Sequence, residues 1–164
     1  MTLFVDTSIW YAAADSSDRS NARAKTILKS GGQLVTSDHI LVETWTLLHH
    51  KVQRNAAERF WDGLRSGVAI IEAVGLADLE VAWEIGNAWR DQDFSIVDRT
   101  SFAVMHRLGI DDAASLDDHF SVFRFGPGRR QSFNVVRRAF SSDSLRMSAG
   151  ACLLSIRRDK GTAW

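Results

Sequence analysis

Four acidic residues stand where a chemical site can be built. Asp6 closes the β-prone run Thr2 to Val5, and Asp117 closes a second such run, Ala113 to Leu116. Asp98 opens a helical segment directly after the loop Asp91 to Val97. Glu43 lies on the border of an apolar stripe of Ile40, Leu41, Thr44, Leu47, Leu48 and Val52, where a solvated carboxylate is out of place. Carboxylates gathered into one pocket repel each other and must take up protons or share a cation. Oxygen donors suit a hard divalent ion, Mg²⁺ first and Mn²⁺ as the alternative. Such an ion polarises a phosphoryl oxygen, lowers the pKa of a bound water and neutralises a leaving oxygen, which is the chemistry of phosphodiester hydrolysis. Each acid also has a purely structural reading. Asp98 can cap its helix, Asp117 a turn, Asp6 can accept from helix amides beginning at Ser8, and Glu43 can sit at a solvent edge.

Other chemistries find little support. There is no GxSxG, no phosphate-binding loop and no GxGxxG after a strand. His39 with Glu43, and the pair His49 and His50, lack an HExxH arrangement and any cysteine partner for zinc. His119 reads as a surface-turn histidine rather than a proton donor, and Trp10 is the tryptophan expected nearest the acids.

The elements that must position these acids alternate. Strands are expected at Thr2 to Val5, Gln33 to Thr36, Val68 to Ile71, Ala113 to Leu116 and Ser121 to Phe125. Helices are expected at Thr7 to Asp15, Arg19 to Lys29, from Asp38 through Val52, and at Asn55 to Leu64, Ala77 to Trp89 and Asp98 to Leu108. Strands joined through helices imply a mainly parallel sheet covered on both faces, a three-layer α/β/α domain. In such sheets ligands gather at the carboxyl ends of the strands, where the acids Asp6 and Asp117 fall.

The chain has 164 residues, 45% hydrophobic and 24% charged, enough for one domain with a sizeable core. A single cysteine, Cys152, excludes an internal disulfide and fits a reducing cytoplasm. No basic residue precedes Arg19 and no apolar run approaches a membrane span, so neither export nor membrane insertion is expected. The zero net charge conceals a division. Residues 1–127 carry 12 basic and 18 acidic side chains, whereas 128–164 carry 8 and 2. The break falls at the only proline, Pro127, so a domain over 1–126 is expected, with 127–164 as a basic extension outside the core fold. Arg129, Arg130, Arg137 and Arg138 are its first candidates for contacts to the phosphates of a polyanion.

The segments Phe4-Val-Asp-Thr-Ser-Ile-Trp-Tyr-Ala, Leu41-Val-Glu-Thr, Phe94-Ser-Ile-Val-Asp-Arg-Thr-Ser-Phe and Ala114-Ser-Leu-Asp-Asp-His-Phe resemble, in order and spacing, the four acidic blocks of PIN-domain ribonucleases, and most of all the VapC toxins of toxin-antitoxin pairs. The resemblance spans residues 2–126. It implies that Asp6, Glu43, Asp98 and Asp117 are the catalytic, metal-binding acids and that Ser8 helps to order them. It also implies that Asp93 and Ser95 precede the third acid as supporting groups, and that Asp118 competes with Asp117 for the fourth position. An Mg²⁺-dependent endoribonuclease leaving a 5′-phosphate and a 3′-hydroxyl, a VapB-type antitoxin partner and a homodimer follow from the same resemblance. Two other readings stay open at this point: a PIN-fold RNA-binding module with an idle metal site, and a phosphoacceptor receiver-like signalling domain. The latter wants paired acids after the first strand and a lysine on a late strand, and no lysine lies between Lys51 and Lys160.

Overall fold

A computed structural model describes residues 1–30 and 32–137. Its centre is a five-stranded sheet, parallel throughout, built from β1 (Thr2–Val5), β2 (Gln33–Ser37), β3 (Ile70–Glu72), β4 (Asp112–Ala114) and β5 (Asn134–Val136). Their spatial order is β3-β2-β1-β4-β5. Seven helices flank it: α1 (Thr7–Ala14), α2 (Asn21–Lys29), α3 (Asp38–Lys51), α4 (Arg54–Arg65), α5 (Leu76–Ala88), α6 (Ile96–Leu108) and α7 (His119–Val122). This is the expected α/β architecture.

β1 lies mid-sheet, and its Leu3, Phe4 and Val5 are fully buried, each worth about 1.5–3 kcal/mol by removal from water. The strand can be short because both neighbours, β2 and β4, pair with it and neither edge is left open. β2 is entered through Gly32, whose φ of 94° and close approach to the Met1 carbonyl exclude a side chain; a Cβ there would lie 2.6 Å from that oxygen. A second core layer is aromatic. Phe94, Phe102, Phe120, Phe123 and Phe133 are all buried, with the Phe102 and Phe123 rings stacked at 4.3 Å. No helix among the described residues is long and apolar enough to cross a membrane.

The C-terminal third departs from expectation. Residues 121–125 are not a strand: the short helix α7 occupies 119–122, because Phe120 and Phe123 are both buried and three residues apart, a helical rather than an alternating spacing. The chain then turns through Gly126 and Gly128, both at positive φ, so that Phe125 and Gln131 form an antiparallel bridge. It re-enters the sheet as β5, paired with β4 from Asp112↔Asn134 to Ala114↔Val136. Phe133 and Val136 belong to the core. A boundary at residue 126 therefore cuts through the folded unit, and the glycine-proline break is an internal turn. Arg138 and the rest of the extension lie outside the described residues.

Candidate active site

Asp6 follows β1 and serves as N-cap of α1, which fixes its carboxylate at the carboxyl edge of the sheet. Its Oδ2 accepts from the Ser8 amide at 3.2 Å, the Ser8 hydroxyl at 2.6 Å and the Ser115 hydroxyl at 3.0 Å. The same two hydroxyls accept from the next loop, Ser8 Oγ from the Leu116 amide and Ser115 Oγ from the Asp117 amide. The ends of β1 and β4 are thereby tied together. Burial, and then the neighbouring charge of Asp117, push the Asp6 carboxyl up to about 7, against the opposing pull of its Ser8 and Ser115 hydrogen bonds.

Asp98 is the third residue of α6, whose N-cap is Ser95. The two form a capping box: Asp98 Oδ2 accepts from the Ser95 amide at 2.8 Å and the Ser95 hydroxyl accepts from the Asp98 amide at 3.0 Å. The expected capping of this helix is real, but its N-cap is Ser95. Asp98 Oδ2 also meets His119 Nδ1 at 2.9 Å, although the acid is buried. Asp117 Oδ1 takes the His119 amide at 3.0 Å, so its turn-capping role is real as well. Glu43, on α3, accepts from the Thr7 hydroxyl at 2.5 Å through Oε2.

These acids face one another. A cavity of about 370 Å³ is lined by Asp6, Glu43, Asp98 and Asp117 together with Ser8 and Ser95. Ligand atoms of Asp98, Asp117 and His119 all fall within 4.8 Å of one another. In each of the four acids one oxygen takes the hydrogen bonds just described, and no described donor reaches the other. Each is anchored by one oxygen with a second to offer.

Other expected residues lie elsewhere. Asp93 is exposed and does not line the cavity. Asp118 points away from it, its carboxylate largely exposed and paired with Arg137; of the two adjacent acids, Asp117 faces the cavity. Arg129 lies over the Trp89 ring at 4.7 Å and reaches the Ala88 carbonyl, and neither it nor exposed Arg130 lines the acidic cavity. The turn through Gly126 and Gly128 carries Arg129 to the end of α5. Trp10 is buried, donates from Nε1 to Thr36 and lines a separate apolar cavity.

His119, Thr7, Tyr11, Leu47, Lys51, Ser115 and Arg137 were not singled out by sequence as parts of this site. His119 is no free surface-turn histidine: besides Asp98 it meets the edge of Phe94 at 5.5 Å. Arg137, just beyond β5, donates to the Asp117 carbonyl at 3.0 Å and the Ser121 hydroxyl at 3.1 Å, holding the loop that bears the fourth acid. The available signal was helical spacing. Thr7 and Tyr11, and Glu43, Leu47 and Lys51, recur every fourth residue on α1 and α3.

A parallel sheet with this strand order and four acids at its carboxyl edge defines a class, and comparison bears it out: the PIN domain profile matches residues 3–126. The chain belongs to the PIN-domain family. Among its relatives is the 23S rRNA-specific endonuclease VapC20 of Mycobacterium tuberculosis, from strain CDC 1551 / Oshkosh and from strain ATCC 25618 / H37Rv. Each is 41% identical over 125 residues, covering 75% of this chain and 95% of the relative. The crystal structure of Mycobacterium tuberculosis VapC20, described as a sarcin-ricin loop cleaving toxin, superposes with a TM-score of 0.70 at 38% identity, covering 73% of this chain and 92% of that one.

Proposed function

We propose that this chain is an endoribonuclease toxin of the VapC type that hydrolyses RNA with a divalent cation held by Asp6, Glu43, Asp98 and Asp117. The observation that carries the reading is that all four acids line one cavity while each has one oxygen tied to the fold and the other without a bond from a described donor. The donor set fits a hard ion. Its atoms are carboxylate oxygens, burial first and the Asp117 charge second push the Asp6 carboxyl up to about 7, and a bound cation would offset both. Mg²⁺ is the ion proposed, with Mn²⁺ as a substitute.

When bound, the ion supplies Lewis-acid activation of the phosphate and of a water. The chain's part is positioning. Ser8 and Ser115 fix the Asp6 carboxylate, the Ser95 capping box fixes Asp98, and Thr7 fixes Glu43. The overall reaction adds water across the phosphodiester: its oxygen bonds to phosphorus, the bond to the 3′-oxygen breaks, and that oxygen leaves with a proton. The products are a 5′-phosphate and a 3′-hydroxyl.

Identity to a 23S rRNA-specific endonuclease supports ribosomal RNA as the substrate to try first. The same relationship supports a VapB-type antitoxin partner, a homodimer and action in the cytoplasm. Incubating purified protein with deproteinised ribosomal RNA in Mg²⁺, Mn²⁺ or EDTA tests the reading. Discrete cuts that require metal and disappear in Asp6→Asn are expected; cuts that persist in EDTA or in Asp6→Asn refute it.

A further inference from the structure

The acidic cavity has a second wall of different chemistry. The Thr7–Glu43 hydrogen bond pins α1 to α3 beside the acids. One turn further along each helix come Tyr11 and Leu47, and a second turn along α3 brings Lys51, all three lining the same cavity. At 1.5 Å per residue these steps are about 6 Å and about 12 Å along the helix axes, the scale of a nucleotide and its neighbour. The Tyr11 ring is half-buried on α1. Lys51 is exposed and forms no ion pair or hydrogen bond with any described residue. Among the described residues it is the one lysine or arginine lining this cavity.

That wall answers a problem the acids create. A cluster of carboxylates repels a polyanion, so a substrate strand needs a cation close by that is not consumed by the cluster itself. Lys51 also complements the C-terminal end of α3, but His49 and His50 sit in the same last turn, and a helix dipole does not explain why one face carries Glu43, Leu47 and Lys51 together. An aromatic ring, an apolar side chain and an unpaired ammonium are the parts of a site for one unstacked nucleotide.

We propose that Tyr11, Leu47 and Lys51 form a nucleotide subsite beside the acids, taking a flanking phosphate of the RNA on the Lys51 ammonium and an adjacent splayed base on the Tyr11 ring and Leu47. The inference rests on the nuclease reading of the cavity. It selects single-stranded or looped RNA, because a paired base cannot leave its stack to reach the ring.

Binding of a fluorescein-labelled, mixed-sequence single-stranded 12-mer RNA to full-length Asp6→Asn protein, titrated with KCl, tests it without depending on turnover. Adding Lys51→Ala is expected to weaken binding several-fold and to reduce the slope of log K against log salt by about 0.7, one phosphate's worth. Lys51→Arg restores both, and Lys25→Ala, at an exposed position of α2 away from the cavity, changes neither. Tyr11→Leu is expected to weaken binding by ~5-fold or more with little change in salt slope, whereas Tyr11→Phe binds as the parent does. Thermal melts of each variant confirm folding. Parent-like affinity and salt slope in both Lys51→Ala and Tyr11→Leu overturn the subsite while leaving the nuclease reading intact. Failure of the Asp6→Asn parent to bind RNA, together with failure of the native protein to cleave it, overturns both.

Discussion

Trp10 and Tyr11 are neighbours on α1, yet they face two cavities of similar size and opposite chemistry. Trp10 lines one of about 320 Å³ with Leu28, Phe60, Leu64 and Val68, beneath α4. Tyr11 lines one of about 370 Å³ with four carboxylates. Size does not separate them. Apart from Arg59, the first cavity is walled by apolar side chains and a glycine, and Trp10 satisfies its indole N–H on Thr36. The acidic cavity concentrates groups that burial penalises, and Asp6 registers the cost as a carboxyl titrating near 7. Unfavourable burial persists where something else uses it, and the use proposed here is a cation.

The contrast can be broken most severely at the acids. Asp6→Asn or Asp98→Asn should abolish RNA cleavage, by on the order of 10³-fold or more, while the protein stays folded by circular dichroism. On the other side, Trp10→Ala should cost about 3–5 kcal/mol in denaturant unfolding and leave divalent-ion binding by the folded protein unchanged. An effect of Trp10→Ala on ion affinity would join the two cavities into one functional unit.

Arg137→Ala sharpens the comparison from the C-terminal strand. It releases the Asp117 carbonyl, and a loss of about 10-fold in kcat or ion affinity is expected, as for a group that orients a ligand. Little change in KM should accompany it, and Arg137→Lys should recover part of the loss. Asp118→Asn, altering an exposed carboxylate, should shift cleavage by no more than about 2-fold and stability by less than about 0.5 kcal/mol.

The pH dependence has a definite sign. Asp6 titrates near 7 in the folded protein, above its ordinary value of 3.8, so without metal the folded state holds the proton more tightly than the unfolded one. The stability this contributes is full below about 4 and is lost as pH rises through 7. The melting temperature of metal-free Asp6→Asn should therefore pull ahead of the native protein's between pH 5 and pH 8, and saturating Mg²⁺ should close the gap. Because the proton and the cation compete for Asp6, ion affinity should rise with pH up to about 7.

Three of the acids were legible because each lies near the end or start of an element. Asp6 and Asp117 follow β1 and β4, which pair with each other, and Asp98 lies in the first turn of α6, so local pattern alone carries them to one edge. Glu43 was legible as a charge on an apolar border. Asp117 could not be told from Asp118 by sequence, since a one-residue shift in a tight turn reverses which carboxylate faces inward; in the structure Asp118 pairs with Arg137 while Asp117 lines the cavity. β5 escaped notice because its three residues follow two positive-φ glycines and the only proline, signals that mark a domain's end as readily as an internal turn. His119 escaped because its partner, Asp98, is 21 residues away in the chain. Lys51 falls inside the helix expected from Asp38 through Val52, but nothing local to the chain says that its face borders the acids brought in by other elements.

Titration of the full-length protein with Mn²⁺ at pH 8, followed by electron paramagnetic resonance and without RNA, tests the central claim most directly. Saturable binding is predicted for the native protein and for Trp10→Phe, and its loss is predicted for Asp6→Asn and Asp98→Asn. Equal binding by Asp6→Asn, or none by the native protein, would contradict the assignment of the acidic cavity as a cation site.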